Sequence, residues 1–562
     1  MLHKLKYLVL LLELGCFFAE AQTFHNPFNF PLYLSGNFGE LRPDHFHSGI
    51  DFKTQGVEGK PVHAAKDGYV CRIVVSPRGY GNVVYLAHPA DRIKTVYAHL
   101  QRFTEEMHVY VKEKQYEQEC FSVDLSFSPE DYPVKEGEII GYSGNSGSSG
   151  GPHLHFEVRD LATDEPMDPL PFFKERIKDT RSPKARAIMI YPVEGEGTVN
   201  NSSRKQQLQL ITSETGQQSV SGKIEAWGKI AFSINVDDFM DGTGNVYGVN
   251  ELIMYVDDRK VFRSCLDRFS LNETRYINAW VDYEIWRNKR SFFTKTHVEP
   301  GNHLRFITSE NRGYIQIDEP RNYQIVFQLA DIYGNITRIP VHVTGKEQLI
   351  HTPDTDGTAF FCPNSENRFG AKGIRLYIPE GSLYSYVYFR HNTEKSKDYF
   401  SDIHQLHDSP VPLHQKAKIS LYISGDSLDN KAHYGIVSIR KNARSWIGGL
   451  YRDGWIDGDI SELGNGYAIA IDTIPPKITP VNETKWMNEK LIAFRITDNL
   501  SGVKSYRGEI DGQYVLFEFD AKKASVRYEP DPVRLKHGKH HLSLTVTDLC
   551  GNNSVHESSF EW

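Results

Sequence analysis

Between residues 36 and 172, apolar and polar residues alternate in short runs broken by Gly and Pro, with little of the spacing of an amphipathic helix. That pattern predicts an all-β domain of short strands. Its most regular run is Gly150-Gly151-Pro152-His153-Leu154-His155-Phe156-Glu157-Val158-Arg159. Successive side chains on a strand face opposite ways, so Leu154, Phe156 and Val158 enter a core while His153, His155 and Glu157 share the other face, neighbours roughly 7 Å apart. Two imidazoles so placed on one rigid element suit a metal ligand beside a second chemical group. The same pattern also describes two surface histidines on an edge strand.

After Pro169-Leu170-Pro171 the chain changes to strands rich in Tyr, Phe and Thr, with Asn and Gly at the turns. An internal repeat runs through this part. Asp179-Thr180-Arg181-Ser182-Pro183-Lys184 matches Asp472-Thr473-Ile474-Pro475-Pro476-Lys477, Lys229-Ile230-Ala231-Phe232 resembles Lys490-Leu491-Ile492-Ala493-Phe494, and Asp331-Ile332-Tyr333-Gly334-Asn335 answers Asp548-Leu549-Cys550-Gly551-Asn552. Residues 179–346 and 472–562 therefore read as two modules of one plan, antiparallel β-sandwiches similar to bacterial immunoglobulin-like domains. Between them, 347–471 reads as a third β-rich module without a repeat partner. No clustered His, Cys or nucleophile pattern occurs in these three units; Asp237, Asp238 and Asp241 beside Gly242 and Gly244 offer carboxylates for calcium, although an acidic loop is the commoner reading.

With 562 residues, 39% hydrophobic and 12% aromatic, the chain is globular and long enough for about three or four domains. A net charge of −8 leaves no basic field for nucleic acid and no polybasic arm for a membrane surface. Residues 1–21 place Lys4 and Lys6 before an apolar run and end on Ala19-Glu20-Ala21, the order of a secretory signal. This predicts a secreted or periplasmic, envelope-facing protein with no later membrane span. Cys16 raises lipidation, against which Glu13 stands where an apolar residue is wanted. Cys71, Cys120, Cys265, Cys362 and Cys550 are scattered and encode no disulfide framework.

The chemistry is carried by Arg42-Pro43-Asp44-His45-Phe46-His47-Ser48-Gly49-Ile50-Asp51-Phe52. His47 and Asp51, with Gly49 between them to let the backbone turn, converge on one ion if His155 completes the set. Two imidazole nitrogens, one carboxylate oxygen and an open fourth position are the donor set of catalytic zinc. Further along stand Gly59-Lys60-Pro61-Val62-His63-Ala64-Ala65-Lys66-Asp67-Gly68, Gly79-Tyr80-Gly81-Asn82, Tyr97-Ala98-His99-Leu100, Val134-Lys135-Glu136-Gly137 and Gly144-Asn145-Ser146-Gly147. Taken in this order, the pieces resemble the lysostaphin/LytM-type zinc metalloendopeptidases, which cut peptide cross-links in bacterial peptidoglycan.

The resemblance covers about a quarter of the chain. It implies Zn²⁺ held by His47, Asp51 and His155, with His99 and His153 as catalytic histidines that do not bind the metal. Hydrolysis of an amide needs a base for the water and a donor for the oxyanion and leaving amine; the two histidines supply these, and the sequence leaves open which does which. Asn82 and Tyr97 are further candidates for the substrate groove. Glu157 is either an outer partner of a ligand imidazole or an exposed strand carboxylate. His45, His63 and His88 have no role in the pattern.

The connection 104–133, rich in Glu among aromatics, is longer than a hairpin needs; it reads either as an insertion bordering the groove or as a solvated acidic excursion. The organisation expected is thus a signal at 1–21, a zinc metalloendopeptidase domain at 22–178 and β modules at 179–346, 347–471 and 472–562. The function expected is secreted cleavage of peptidoglycan peptide bridges, with an envelope partner possible for the C-terminal modules. Two alternatives stay open: a non-catalytic cell-wall-binding or amidase-activating protein with an occluded groove, and a zinc endopeptidase of proteins or peptides.

Overall fold

The computed structural model describes residues 23–441 and 443–562. The expected signal and Cys16 lie outside the described residues. The chain is all-β with several sheets. The sheet that positions the site runs through β1 (Leu34–Gly36), β2 (Ile50–Lys53), β3 (Gly68–Val75), β4 (Asn82–His88), β5 (Ile93–Leu100), β6 (Val123–Ser126) and β7 (His153–Asp160), in the spatial order β1-β2-β7-β5-β4-β3-β6. Its pairings are antiparallel, and β7 lies between β2 and β5.

The alternation in β7 does what it predicts. Leu154, Phe156 and Val158 are fully buried, and Phe156 meets Phe24, Phe52, Tyr97 and Phe173 edge-on or tilted, at centroid distances of 5.2–6.4 Å. Rings of this size supply most of a core's buried apolar area. The opposite face of β7 carries His153, His155 and Glu157 toward the site.

Within residues 23–178 one α-helix departs from the β pattern. α1 (Glu105–Glu117) starts with Glu105 and Glu106 in its first turn, where the helix dipole favours negative charge, and buries Met107, Val111 and Gln115. That stripe has the i, i+4, i+8 spacing of a helix, but one of its three positions is polar, so the period is nearly invisible in the sequence. After α1 the chain returns as β6 on the edge of the large sheet, paired with β3.

Beyond residue 183 an 11-stranded sheet surrounds one core that includes Ile188, Phe232, Phe327 and Val341. A short parallel pairing of Glu225 and Ala226 with Thr344 and Gly345 contributes to this continuity. Two five-stranded sheets share the next core, and two four-stranded sheets share the last. The first core does not end with its own sheet: Met240, Tyr247, Leu266, Phe269, Trp280 and Leu304 join it. Phe46, one residue before His47, packs its ring against Phe269, Trp280 and Phe306 at 5.4–5.9 Å.

Candidate metal and catalytic site

The pairing register of β2 and β7 sets Asp51 directly opposite His155. Side chains opposite each other across an antiparallel pair lie about 5 Å apart at Cβ, close enough for one small ion to bridge. His47 reaches the same point from the loop before β2. Its Nε2 lies 3.0 Å from Asp51 Oδ1 and 3.0 Å from His155 Nδ1, and His155 Nδ1 lies 2.9 Å from Asp51 Oδ1. Among the described residues, His47, Asp51 and His155 form a buried group able to hold a metal. Donors bound at about 2.0–2.1 Å in a tetrahedron sit roughly 3.3 Å apart, so this N, N, O set has the size and chemistry that zinc takes.

The outer nitrogens of both rings are committed. His47 Nδ1 donates to the Asn37 carbonyl at 2.6 Å, and His155 Nε2 donates to Glu157 Oε1 at 2.8 Å. Such bonds fix the tautomer and aim the other nitrogen at the ion. Glu157 is therefore buried, not exposed: Ser48 Oγ and Tyr80 Oη also donate to its Oε1, and Arg159 Nε donates to its Oε2. Ser48, Tyr80, Arg159 and Asn37 had no signal in the sequence beyond the shared strand face of Glu157 and Arg159.

The electrostatics follow from this crowding. Burial raises the Asp51 carboxyl, but His47 and His155 outweigh it and hold the group well below the ordinary carboxylate range. Burial lowers His155, yet hydrogen bonds to Asp51 and Glu157 push it up to about 9. Glu157 is buried, which raises it, and Arg159 and His155 more than reverse that. The His155 ring lies between the two carboxylates, Nδ1 toward Asp51 and Nε2 toward Glu157, which is why both favour its protonated form.

His99 and His153 lie beside the ligands without joining them. Their ring centroids are 4.8 Å apart, and His99 is 5.9 Å from His155. His153 Nε2 stands 3.5 Å from Asp51 Oδ1. Each ring spends Nδ1 on a carbonyl: His99 donates to Ser146 at 2.9 Å and His153 to Gly151 at 2.8 Å. Burial first, then the neighbouring His155 and His153, lower His99 to about 3, and burial lowers His153 as well.

His99 reaches the site through a backbone exception. Phe156 pairs with Tyr97 and His155 with Ala98, so regular alternation would send both Tyr97 and His99 into the core. A positive φ of 60° at His99, next to an irregularity in the β4–β5 pairing, turns the imidazole back toward the metal side. Left-handed backbone at a non-glycine residue carries strain and concentrates at functional sites. Tyr97 stays on the core side, fully buried, its hydroxyl accepting from Ala65 N–H at 2.8 Å. It does not reach the groove, contrary to the sequence expectation. Asn82 is partly buried, its side chain donating to the carbonyls of Leu100 and Gln101. His45 is exposed, while His63 and His88 are buried and bonded to the carbonyls of Gly137 and Asp67.

The connection expected as a groove border or a solvated excursion packs on the terminal sandwich. Lys112 pairs with Asp531 at 2.9 Å, Glu119 with Arg507 at 2.7 Å, and Arg534 lies 3.8 Å over the Tyr116 ring. The Glu518–Lys523 segment faces the connection across a cleft that Asn82, Gln101 and Asn145 also line.

Comparison with known proteins agrees with this geometry. The family model described as "Peptidase family M23" matches residues 45–116 and 123–169, leaving out part of the connection after α1, and "Zu5-like domain" matches 358–472. The chain is similar to the DD-carboxypeptidase/endopeptidase Mpg of Neisseria meningitidis serogroup B, 34% identical over 124 residues, covering 22% of each protein. It is also similar to the glycyl-glycine endopeptidase ALE-1 of Staphylococcus capitis, 27% identical over 209 residues, covering 36% of this chain and 50% of that one. The chain thus spans about a fifth to a half of the length of these relatives. Among solved structures, the catalytic domain of lysostaphin from Staphylococcus simulans aligns at 26% identity over 25% of this chain and 91% of that chain, with a TM-score of 0.19. Residues 45–116 and 123–169 therefore belong to a peptidase family M23 domain, which this chain carries ahead of a Zu5-like domain.

Proposed function

We propose that the protein is a secreted zinc-dependent endopeptidase that hydrolyses peptide cross-links of bacterial peptidoglycan. The observation that carries this reading is the convergence of His47 Nε2, Asp51 Oδ1 and His155 Nδ1 within 3.0 Å of one another, with two further imidazoles beside them. These three atoms would hold the metal. Bound zinc supplies Lewis acidity, polarising the scissile carbonyl and acidifying water.

The remaining work falls to this chain's own groups. His99 and His153 each have Nδ1 tied to a carbonyl, so each works through Nε2. A neutral ring accepts a proton from the attacking water there, and a protonated ring returns one to the leaving amine. Burial of the site excludes bulk water and strengthens these interactions. The choice of peptidoglycan rests on the resemblance and on relatives named as glycyl-glycine endopeptidase and DD-carboxypeptidase/endopeptidase.

Digestion of purified peptidoglycan by the mature protein, followed by mass analysis, tests the chemistry and the substrate together. New amine and carboxyl ends at the peptide bridges are expected. Intact peptidoglycan, with cleavage of casein or of a soluble peptide, would redirect the same chemistry to proteins.

One contact favours the occluded-groove reading. Lys522 of the terminal sandwich donates to the Asn145 carbonyl and, at 3.1 Å, to the Ser149 carbonyl at the groove rim. If that sandwich blocks entry, Lys522→Ala raises turnover of a large substrate and leaves a dipeptide-sized one unchanged. Equal rates for the variant and the parent on both substrates would remove the occlusion.

A further inference from the structure

The acidic trio expected near residue 240 does not converge. Asp237 and Asp238 are sequence neighbours at the end of β8 (Glu225–Asp237) and turn apart: Asp237 pairs with Arg186, and Asp241 accepts from Thr180 Oγ1 at 3.1–3.2 Å. Asp238 instead meets Asp179, from the connection after the peptidase domain, and Asp331, from the turn after β9 (Asn322–Ala330). One oxygen from each of the three lies within 4.8 Å of the others.

Two of these carboxylates are incomplete. Asp179 and Asp238 are 8% and 2% exposed, and Asp179 Oδ2 and Asp238 Oδ1 are buried without a hydrogen-bond partner among the described residues. The Arg181 guanidinium, whose charge reaches Asp238, donates to the carbonyls of Met240 and Thr243 and not to the carboxylates, while the Arg181 backbone N–H donates to Asp179 Oδ1 at 2.9 Å and leaves Oδ2 unpartnered. Burying carboxylates together without a counter-charge is costly unless they take up protons or a cation.

The arrangement is built by the internal repeat. Asp331 Oδ1 accepts from Tyr333 N–H and Asn335 N–H, and the Asn335 side chain donates to Asp331 Oδ2 and to the Asp179 carbonyl. Asp548 Oδ1 likewise accepts from Cys550 N–H and Asn552 N–H, and the Asn552 side chain donates to Asp548 Oδ2 and to the Asp472 carbonyl. These bonds hold a hairpin carboxylate and a connecting-segment aspartate together in both modules. In the second copy Asp472 already accepts N–H groups on both oxygens, from Ile474 and Ser501, and the one oxygen unpartnered among the described residues belongs to the partly exposed Asp498, so the set with two unpartnered oxygens on buried carboxylates is the first.

From the three converging carboxylates and their two buried, unpartnered oxygens, we infer that Asp179, Asp238 and Asp331 bind one calcium ion. An all-oxygen, carboxylate-rich donor set suits a hard cation and lacks the nitrogen and sulfur that zinc or copper prefer. Oxygens sharing a calcium at about 2.3–2.6 Å sit no more than about 5 Å apart, which this group satisfies. The ion ties the connection to the sandwich next to two bonds that already span it, Tyr333 Oη to the Ile177 carbonyl at 2.7 Å and Lys174 Nζ to the Ile332 carbonyl at 3.1 Å. It thereby stiffens the junction between the peptidase domain and the module after it. In the ion-free protein, burial raises Asp238 to about 8 and Asp179 to about 6, so calcium uptake at neutral pH releases protons.

The test uses the full mature chain, stripped of metal, with radiolabelled calcium in equilibrium dialysis up to about 5 mM, above the range of about 0.1–1 mM where weak oxygen sites bind. The parent should hold one calcium more than Asp238→Asn, and calcium should slow tryptic cleavage at Lys178 and Arg181 in the parent alone. Proton release on calcium addition should fall in the variant. Without calcium, Asp238→Asn should melt at or above the parent temperature, which also shows that it folds; should it fail to fold, Asp179→Asn takes its place. Equal calcium binding by parent and folded variant, or none by the parent, overturns the assignment.

Discussion

Glu157 accepts hydrogen bonds from His155, Ser48, Tyr80 and Arg159. Its neighbour Arg159 has a side chain only 4% exposed, so removing the carboxylate strands a buried guanidinium. Breaking a buried pair in this way costs about 3–5 kcal/mol. Glu157→Ala should lose that much in denaturant unfolding and bind zinc about 10–100-fold more weakly, as loss of an outer partner commonly causes. A fully stable variant would mean that Asp164 and Tyr80 satisfy Arg159 by themselves. At the ligands, Asp51→Ala should contain almost no zinc by elemental analysis. His99→Ala and His153→Ala should keep zinc and slow turnover by about a hundredfold or more; near-normal rates in both would refute the division between ligands and catalytic groups.

At the scale of elements, two adjacent strands and one loop deliver the ligands, and the loop is braced from outside the domain. Asn37, whose carbonyl orients His47, exchanges amide hydrogen bonds of 2.8 and 2.9 Å with the backbone of Gly248. Asn37→Ala keeps the carbonyl but frees the loop, so zinc affinity should fall about tenfold in a competition assay with a chelating dye. The aspartate trio makes a prediction of opposite sign to the usual one for carboxylates. Asp238 faces Asp179, Asp331 and Arg181, and without calcium its pKa is raised to about 8. The fold holds a proton there that the unfolded chain has lost, so this contribution to stability is complete below about pH 4 and disappears as pH rises through about 8. Thermal unfolding of the calcium-free protein should show this decline between pH 5 and 8, and Asp238→Asn should flatten it.

The whole molecule shares its first core between the peptidase domain and residues 240–304. A cut after residue 178 therefore meets a physical obstacle: it exposes Phe46 and the apolar surface under the His47 loop. A 22–178 fragment should be poorly soluble or zinc-poor, and a 22–346 fragment soluble and zinc-loaded. Soluble, active 22–178 would show that the shared core is dispensable. The ion pairs Lys112–Asp531 and Glu119–Arg507 and the Lys522 contacts bring the chain's last module back to the groove of its first domain.

What the sequence determined by itself was periodic or local. Alternation put Leu154, Phe156 and Val158 in a core and His153, His155 and Glu157 on one face, and the repeated Asp-x-x-Gly-Asn turns marked two related modules. The motifs around His47, Asp51 and His155 carried the family resemblance that implies them as metal ligands. What only the tertiary structure decided depended on neighbours remote in the chain. Pairing register set Asp51 across from His155, the positive φ at His99 separated its fate from that of Tyr97, and residues 240–304 of the next module closed the core beneath His47. The aspartates show the same division: adjacent Asp237, Asp238 and Asp241 looked like one group, yet strand geometry turned them apart and joined Asp238 to partners 59 and 93 residues away. Local pattern fixes which way a side chain points from its own backbone, whereas convergence on a site is a property of the packed chain.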